Sequence, residues 1–210
     1  MQFSSLISFH LLVLQCLCYL CIVQSHDFLF FVQMWPGAYC DTKRTCCYPA
    51  AGKPTDFTIH RLWPVFNNVT FPEDCNPNSH YNETKKSTTT KFWTHEWTKH
   101  GTCALPVLDQ HGYFAAALSI KDKVNILQVL KNAGIQPDGT LYKLDDIKEA
   151  IKAGTGYIPV IECNTNASGN IQLYQVYLCV DAAGSDLIEC PVTLKRACNT
   201  SVEFPIILGP

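Results

Sequence analysis

Features that mark several common protein classes are scarce or absent in this chain. Asp, Glu, Lys and Arg make up only 16% of its 210 residues, and the net charge of −2 excludes a field that would gather polyanions over the whole surface. Beyond residue 25 no apolar run is long enough to cross a bilayer, and no Gly-x-Ser-x-Gly elbow marks a serine hydrolase. The length suggests one domain, and no internal repeat divides it. Any chemistry must therefore come from local clusters of residues.

The amino-terminal segment also lacks charge, since no Asp, Glu, Lys or Arg precedes Asp27. An apolar run over residues 11–23 is followed by Gln24 and Ser25. This run is interrupted and slightly short for a membrane span, so it predicts a signal peptide over residues 1–25 rather than a membrane anchor. We therefore expect a secreted, extracellular domain over residues 26–210, with a vacuole or another endomembrane lumen as the alternative.

An oxidising compartment allows cysteines to pair. Of the twelve cysteines, Cys16, Cys18 and Cys21 leave with the signal peptide and nine remain. Nine is an odd number, so at least one cysteine has no partner within the chain. Sequons for N-linked glycans occur at Asn68, Asn82, Asn166 and Asn199, and they predict a glycoprotein.

Hydrophobic patterns divide the domain into strands and helices. Strands are predicted at residues 28–35, 56–63, 157–163, 171–180 and 186–190. Residues 64–90 show no apolar periodicity and predict a loop. One or two helices are predicted over residues 111–134, and a further helix over residues 144–156 with Gly154 as its expected end. Strands on both sides of a helical middle indicate an α+β domain.

The segment FWTHEWTKHGTC, residues 92–103, concentrates titratable side chains. If it is helical, at about 100° per residue, four polar side chains share one side and Trp93 and Trp97 occupy the other. The polar four are His95, Glu96, Lys99 and His100. This pattern predicts a helix that buries its indoles, directs acid–base groups toward a cleft and stops near Gly101. A satisfied polar helix face is the alternative.

The same spacing argues against a zinc site. The zinc protease motif H-E-x-x-H places two histidines four residues apart, whereas His95 and His100 are five apart and about 140° apart on a helix. Cysteine catalysis requires a free thiolate near a histidine, and the unpaired cysteine is the sole candidate for it. We therefore expect no metal and no other cofactor.

A second histidine segment, FTIHRLWP, lies at residues 57–64. On an alternating strand, His60 would share a face with Thr58 and Leu62. A lone histidine there would be a packed core residue. Beside the first cluster, however, two separate histidines can bracket a reacting atom, because one can accept a proton while the other donates one.

These two segments resemble the active-site motifs of the ribonuclease T2 family. The segments FVQMWPGAYC, GYIPVIEC, LYQVYLCVD and LIECP further resemble its plant S-like branch of acid ribonucleases. The resemblance covers residues 28–204. It implies a disulfide-stapled α+β fold with a central antiparallel sheet and flanking helices. It also implies a monomer that cleaves single-stranded RNA without metal, through a 2′,3′-cyclic phosphate, and that has no membrane attachment after signal cleavage.

The resemblance assigns roles to individual residues. His60 corresponds to the general acid and His100 to the general base. His95 would bind phosphate, while Glu96 and Lys99 would stabilise the transition state. Base-binding and site-shaping roles fall on four residues: Gln33, Trp63, Phe92 and Trp93. The implied disulfides are Cys40–Cys46, Cys75–Cys103, Cys163–Cys198 and Cys179–Cys190.

The chain departs from the family pattern at two places. The family motif H-G-L-W-P reads HRLWP here, so Arg61 replaces a glycine beside the expected acid. Its side chain could strain the strand, point into the cleft and lower the pKa of His60, or lie solvated on the opposite face. In relatives, a helix and a cysteine lie within the segment that is shortened here near residues 81–92. That missing cysteine is the expected partner of Cys47.

Two functions are therefore expected from the sequence. The first is a secreted T2-type endoribonuclease. The second is a catalytically impaired relative that serves in storage, defence or binding, which Arg61 and the shortened segment would favour.

Overall fold

The computed structural model describes residues 26–42, 52–82, 90–194 and 198–207. Five α-helices lie within these ranges: α1 (Pro36–Asp41), α2 (Thr90–Lys99), α3 (Gln110–Lys123), α4 (Ile126–Asn132) and α5 (Leu144–Thr155). A short 3₁₀ helix, Gly101–Ala104, follows α2 directly. Across these described ranges, no helix has both the length and the apolar character needed to span a bilayer.

Seven strands form one sheet within the described residues. They are β1 (Phe28–Met34), β2 (Thr58–Val65), β3 (Leu141–Lys143), β4 (Val160–Thr165), β5 (Ile171–Asp181), β6 (Leu187–Ile188) and β7 (Ser201–Glu203). The main path runs β2-β1-β5-β7-β3, and β4 and β6 also pair with β5. All pairings are antiparallel except the short parallel contact between β5 and β7. The predicted α+β class with a central, mainly antiparallel sheet is confirmed.

Side chains alternate between two apolar layers on the sheet. On β1, Leu29 and Phe31 face the helices and pack with Trp97, Tyr113 and Ile120. Their neighbours Phe28, Phe30 and Val32 face the opposite side, with Tyr177 and Cys179 of β5. Strand β2 lies at the end of the sheet path, next to β1. An edge strand with a helix packed against it leaves room for a cleft.

Helix α5 ends at Thr155, one residue later than the end that the sequence predicts at Gly154. Its C-cap is Gly156, which adopts a left-handed conformation at φ 88°. Gly154 lies inside the helix, where an added Cβ would be 2.4 Å from Cγ2 of Val129. This glycine therefore permits close packing of α5 on α4 and does not end the helix. Helix α1 and strands β3 and β7, each at most six residues long, were not predicted.

Three of the implied disulfides are present: Cys75–Cys103, Cys163–Cys198 and Cys179–Cys190. Cys40 is disulfide-bonded as well. Its expected partner Cys46, together with Cys47, lies outside the described residues, as do the signal peptide and residues 83–89 of the shortened segment. Cys75–Cys103 joins the loop after β2 to the 3₁₀ helix that follows α2, and thereby ties the two histidine segments together.

Candidate active site

Strand β2 presents His60 through a break in its pairing. Val32 of β1 pairs with Arg61 and Gln33 pairs with Ile59, so His60 is left without a partner in the register. Such a bulge bends the strand and re-aims side chains. The simple alternation expected from the sequence, with His60 on the face of Thr58 and Leu62, therefore does not describe this position.

Helix α2 supplies the second group of side chains, as its sequence predicts. Trp97 is buried in the core and donates to the carbonyl of Ser79 at 3.1 Å, while Glu96 and His100 are buried and His95 is exposed. The helix ends at Lys99, and His100 begins the 3₁₀ helix with φ −116°. Gly101 packs on Trp97, where a Cβ would be 2.4 Å from Cε3 of the indole. Close packing explains this glycine, which allows the chain to turn against the helix.

Arg61 and Trp63 connect the two histidine segments. Nη2 of Arg61 lies 2.6 Å from Nε2 of His60, and the guanidinium carbon lies 4.1 Å from the centre of the Trp63 ring. The Trp63 ring in turn packs against His100, with ring centres 5.6 Å apart. His60 and His100 therefore belong to one cluster, although 40 positions separate them in the sequence.

Several polar atoms of this cluster are buried without a hydrogen-bond partner among the described residues. They are Nδ1 of His60, Nε of Arg61, Nε1 of Trp63, Oε2 of Glu96 and Nε2 of His100. Buried polar groups are normally satisfied in native proteins, and exceptions concentrate at sites that bind or react. Five such atoms in one cluster indicate a cleft that is built for a polar ligand.

Burial and the charge of Arg61 shift the pKa values of the cluster. Burial lowers the pKa of His60 to about 4, with Arg61 as the next cause, while the nearby Gln175 side chain raises it. Burial lowers the pKa of His100 to about 3, again with Arg61 as the next cause. Burial raises the pKa of the Glu96 carboxyl to about 7, against the opposing effect of Arg61. Both imidazoles are therefore neutral at neutral pH in the free protein.

The exposed side of α2 borders an open cavity of about 610 Å³, lined by residues that include Asp74, His95 and Lys99. Lys99 forms an ion pair with Glu73 at 3.2 Å, and both side chains are more than a third exposed. Exposed pairs of this kind contribute little stability, so Lys99 can exchange Glu73 for another anion at small cost.

The structure corrects the argument that His95 and His100 point too far apart to meet. Because His100 leaves the helix, the two ring centres are 6.1 Å apart. Potential ligand atoms of His95, Glu96 and His100 lie within 4.8 Å of one another, a spacing that a divalent cation would accept. That the protein needs no metal remains a prediction.

Two of the expected base-binding residues, Phe92 and Gln33, differ in exposure to solvent. Phe92 is 41% exposed and packs edge-on against Trp93, so its ring is accessible. Gln33 is fully buried, and its Oε1 accepts a hydrogen bond from Lys121 of α3 at 2.9 Å. Alternation along β1 turns the Gln33 side chain toward the helices, and its role in holding a base remains a prediction.

Two residues of the site were not singled out from the sequence. Gln175 of β5 is 4% exposed, accepts a hydrogen bond from the Tyr177 hydroxyl at 3.0 Å and acts on His60. Tyr113 of α3 donates to the carbonyl of Leu62 at 2.5 Å and so fixes β2 against the helices. A glutamine within the otherwise apolar and aromatic residues 173–180 was the available signal for Gln175, whereas nothing in the sequence marks Tyr113.

Comparison with known proteins places this geometry in a family. The model of the ribonuclease T2 family matches residues 26–190. The chain is 49% identical to extracellular ribonuclease LE of Solanum lycopersicum, over 93% of this chain and 94% of that protein. It is 46% identical to intracellular ribonuclease LX of the same species, over 93% and 91%. The crystal structure of RNase NT in complex with 5′-AMP superimposes with a TM-score of 0.79 at 45% identity, over 86% of this chain and 98% of that one. The chain therefore belongs to the ribonuclease T2 family.

Proposed function

We propose that this protein is an endoribonuclease that cleaves single-stranded RNA by acid–base transphosphorylation without a metal. The observation that carries the proposal is the convergence of His60 and His100 on one cluster through Arg61 and Trp63. Relatives that are named ribonucleases, at 46–49% identity over most of the chain, support the same activity.

RNA carries its own nucleophile, so the protein must move two protons. His100 is neutral in the free protein, and its Nε2 accepts the proton of the 2′-hydroxyl as that oxygen attacks phosphorus. The bond from phosphorus to the 2′-oxygen forms while the bond to the 5′-oxygen breaks, and His60 donates its proton to the leaving 5′-oxygen. The products are a 2′,3′-cyclic phosphate and a free 5′-hydroxyl. Slow hydrolysis of the cyclic ester completes the reaction.

Charge that develops on the phosphoryl oxygens is stabilised from α2. Glu96 has a raised pKa near 7, so at acidic pH its carboxyl is protonated and donates a hydrogen bond to a phosphoryl oxygen. His95 and Lys99 border the open cavity next to the cluster and bind the negative charge there. Cationic and hydrogen-bonding groups that are positioned before the reaction stabilise the transition state most efficiently.

Acidic conditions favour this reaction. His60 must be protonated to act as the acid, and its pKa is lowered to about 4 in the free protein. A bound phosphodiester anion raises this pKa, because an opposite charge favours the imidazolium form. Phe92, Trp93 and Trp63 offer aromatic surfaces on which bases stack without strong sequence preference.

Further features remain part of this proposal. The protein is secreted as a glycosylated monomer after removal of residues 1–25, either to the exterior or into an endomembrane lumen. Similarity to both an extracellular and an intracellular ribonuclease supports either location. A catalytically impaired storage or defence protein is less well supported, because the acid–base residues are retained and the relatives named above are ribonucleases.

Cleavage of a labelled RNA oligonucleotide at pH 5 tests the proposed function. We expect cleavage that persists in a chelator, releases a 2′,3′-cyclic phosphate detectable by mass spectrometry, and spares DNA of the same sequence, which lacks the attacking hydroxyl. The double variant His60→Ala/His100→Ala, purified in the same way, excludes a contaminating nuclease. Intact RNA under these conditions would reject the proposal, and loss of cleavage in the chelator would reject its metal-free form.

A further inference from the structure

Arg61 stands where the family motif has glycine, and its side chain lies in the cleft. Its backbone follows β2 beside the bulge at His60, and it pairs with Val32. Among the described residues other than glycine, positive φ angles occur at Val69 and Asp74 and not at Arg61. The strand therefore accepts arginine without a left-handed backbone, and the strain that the sequence raised as one outcome does not occur.

The guanidinium is held by one contact with a catalytic ring and one with an aromatic face. It donates to Nε2 of His60 at 2.6 Å and lies 4.1 Å from the centre of the Trp63 ring. Stacking on tryptophan orients a guanidinium plane and leaves its edge available for a planar or tetrahedral anion. The hydrogen bond to His60 uses the nitrogen lone pair that must carry a proton during catalysis.

No carboxylate forms an ion pair with Arg61 among the described residues, and the nearby Glu96 carboxyl is half protonated at neutral pH because burial raises its pKa to about 7. The ion pairs there join Lys99 to Glu73, Lys121 to Asp56 and Lys123 to Asp186, and none of them includes Arg61. Nε of Arg61 is buried without a hydrogen-bond partner in the same part of the chain. A partly buried guanidinium without a counter-ion is costly, which favours a site that an anion completes.

The cleft beside Arg61 is nearly closed in the free protein. His60, Arg61, Phe92, Trp93 and Glu96 are among the residues that line a cavity of only about 20 Å³. That volume admits about one water molecule and no phosphodiester. A substrate that reaches His60 must therefore displace a side chain of this lining, and the long side chain of Arg61 has the rotamers to move with the phosphate.

We propose that Arg61 is a substrate-binding residue of this protein, whose guanidinium leaves His60 to bind a non-bridging phosphate oxygen of the RNA. This inference rests on the proposed function for the identity of the anion. In the free protein Arg61 occupies the lone pair of His60. In the complex Arg61 pairs with the phosphate through charge-assisted hydrogen bonds, and Nε2 of His60 becomes available for a proton.

Binding of a DNA dinucleotide, which carries the phosphodiester but cannot be cleaved, tests the inference apart from activity. We expect Arg61→Met to weaken binding about 10-fold or more, because a hydrogen bond to a charged group contributes that much. Arg61→Lys keeps the charge and should recover part of the loss. Lys152→Met removes the same charge from an exposed position on α5 and should leave the dissociation constant unchanged.

Equal or tighter binding by Arg61→Met would overturn the inference, since the side chain would then only obstruct the cleft. Nuclear magnetic resonance of the wild-type protein gives a measure that does not depend on a variant folding. The Nε proton of Arg61, unpartnered in the free state, should shift when the dinucleotide is added, and an unchanged signal at saturation contradicts the proposal. RNA cleavage is measured separately, so that failure of this inference can be told from failure of the proposed function. If the wild-type protein cleaves RNA and Arg61→Met binds the dinucleotide as tightly as the wild type, only the inference about Arg61 is rejected.

Discussion

The two segments that build the cleft reach it in different ways. Helix α2 carries its acid–base residues within six positions, and their directions follow from the helical repeat and from the end of the helix at Lys99. Strand β2 contributes His60 and Arg61, whose directions depend on a bulge in the pairing with β1. The directions of side chains within a helix can therefore be predicted from the local sequence, whereas those in a strand also depend on the neighbouring strand with which it pairs.

The strongest test of this comparison removes one imidazole from each segment. We expect His60→Ala and His100→Ala each to lower kcat for RNA cleavage about 10²- to 10⁴-fold, the usual contribution of a general acid or base. His111→Ala, at an exposed position of α3, is the matched control and should retain full activity. A His60→Ala protein with wild-type kcat would show that the strand residue does not take part in proton transfer.

Close packing behind the helical segment gives the next largest effect. Gly101→Ala brings a Cβ to 2.4 Å from the Trp97 ring, and Gly154→Ala brings one equally close to Val129. Each should lower the free energy of unfolding by about 1–3 kcal/mol, measured by urea denaturation. Gly101→Ala should also lower kcat, because His100 precedes it, whereas Gly154→Ala on α5 should not. Equal kcat losses in both variants would contradict this distinction.

A smaller effect is expected from Arg61→Gly, which makes the strand segment match the family motif. Burial is the largest cause of the low pKa of His60, and Arg61 is the second, so the pKa should rise only partly toward 6.5. A general acid must be protonated, so the alkaline limb of the profile of kcat/KM against pH, which reports the pKa values of the free protein, should move to higher pH. An unmoved limb would show that Arg61 does not control the proton on His60.

The smallest effect concerns stability against pH. The pKa values of His60 and His100 are lowered from 6.5 to about 4 and about 3 in the folded protein. Below pH 6.5 the unfolded chain therefore binds more protons than the folded protein, and the free energy of unfolding decreases as the pH falls. Glu96 acts in the opposite sense between pH 4.5 and about 7, because its pKa is raised. Stability should therefore fall most steeply near pH 4–4.5, where the two histidines act without this opposition.

Urea unfolding of His100→Gln, compared with the wild-type protein between pH 7 and pH 4, measures this contribution. The variant should lose less stability on acidification, because glutamine does not take up a proton. Parallel curves for the two proteins would contradict the assignment of a buried, neutral His100.

Particular residues show which features of the fold and the site could be predicted from the sequence. The pairings of Cys75, Cys163 and Cys179 and the α+β class were predictable, because family motifs and hydrophobic periods persist in the linear order. The orientation of Gln33 could not be predicted, since the face of a strand that lines a site depends on which layer covers each side. The end of α5 was misplaced at Gly154, because a glycine can serve packing as well as termination. The sequence marks Gln175 as a polar residue among apolar ones, but its position beside His60 follows only from the pairing of β5 with β1.

The sequence by itself determined which acid–base groups this protein has and how His95, Glu96 and Lys99 are arranged on α2, because a helix fixes neighbouring directions through local hydrogen bonds. It did not determine the direction of His100, which follows the end of the helix. It also determined the family, through motifs that lie close together in the chain. The tertiary structure alone decided that Arg61 points into the cleft and contacts His60. That outcome depends on the register between β1 and β2 and on the Trp63 ring beneath the guanidinium, and contacts between separate strands are not encoded in any one of them.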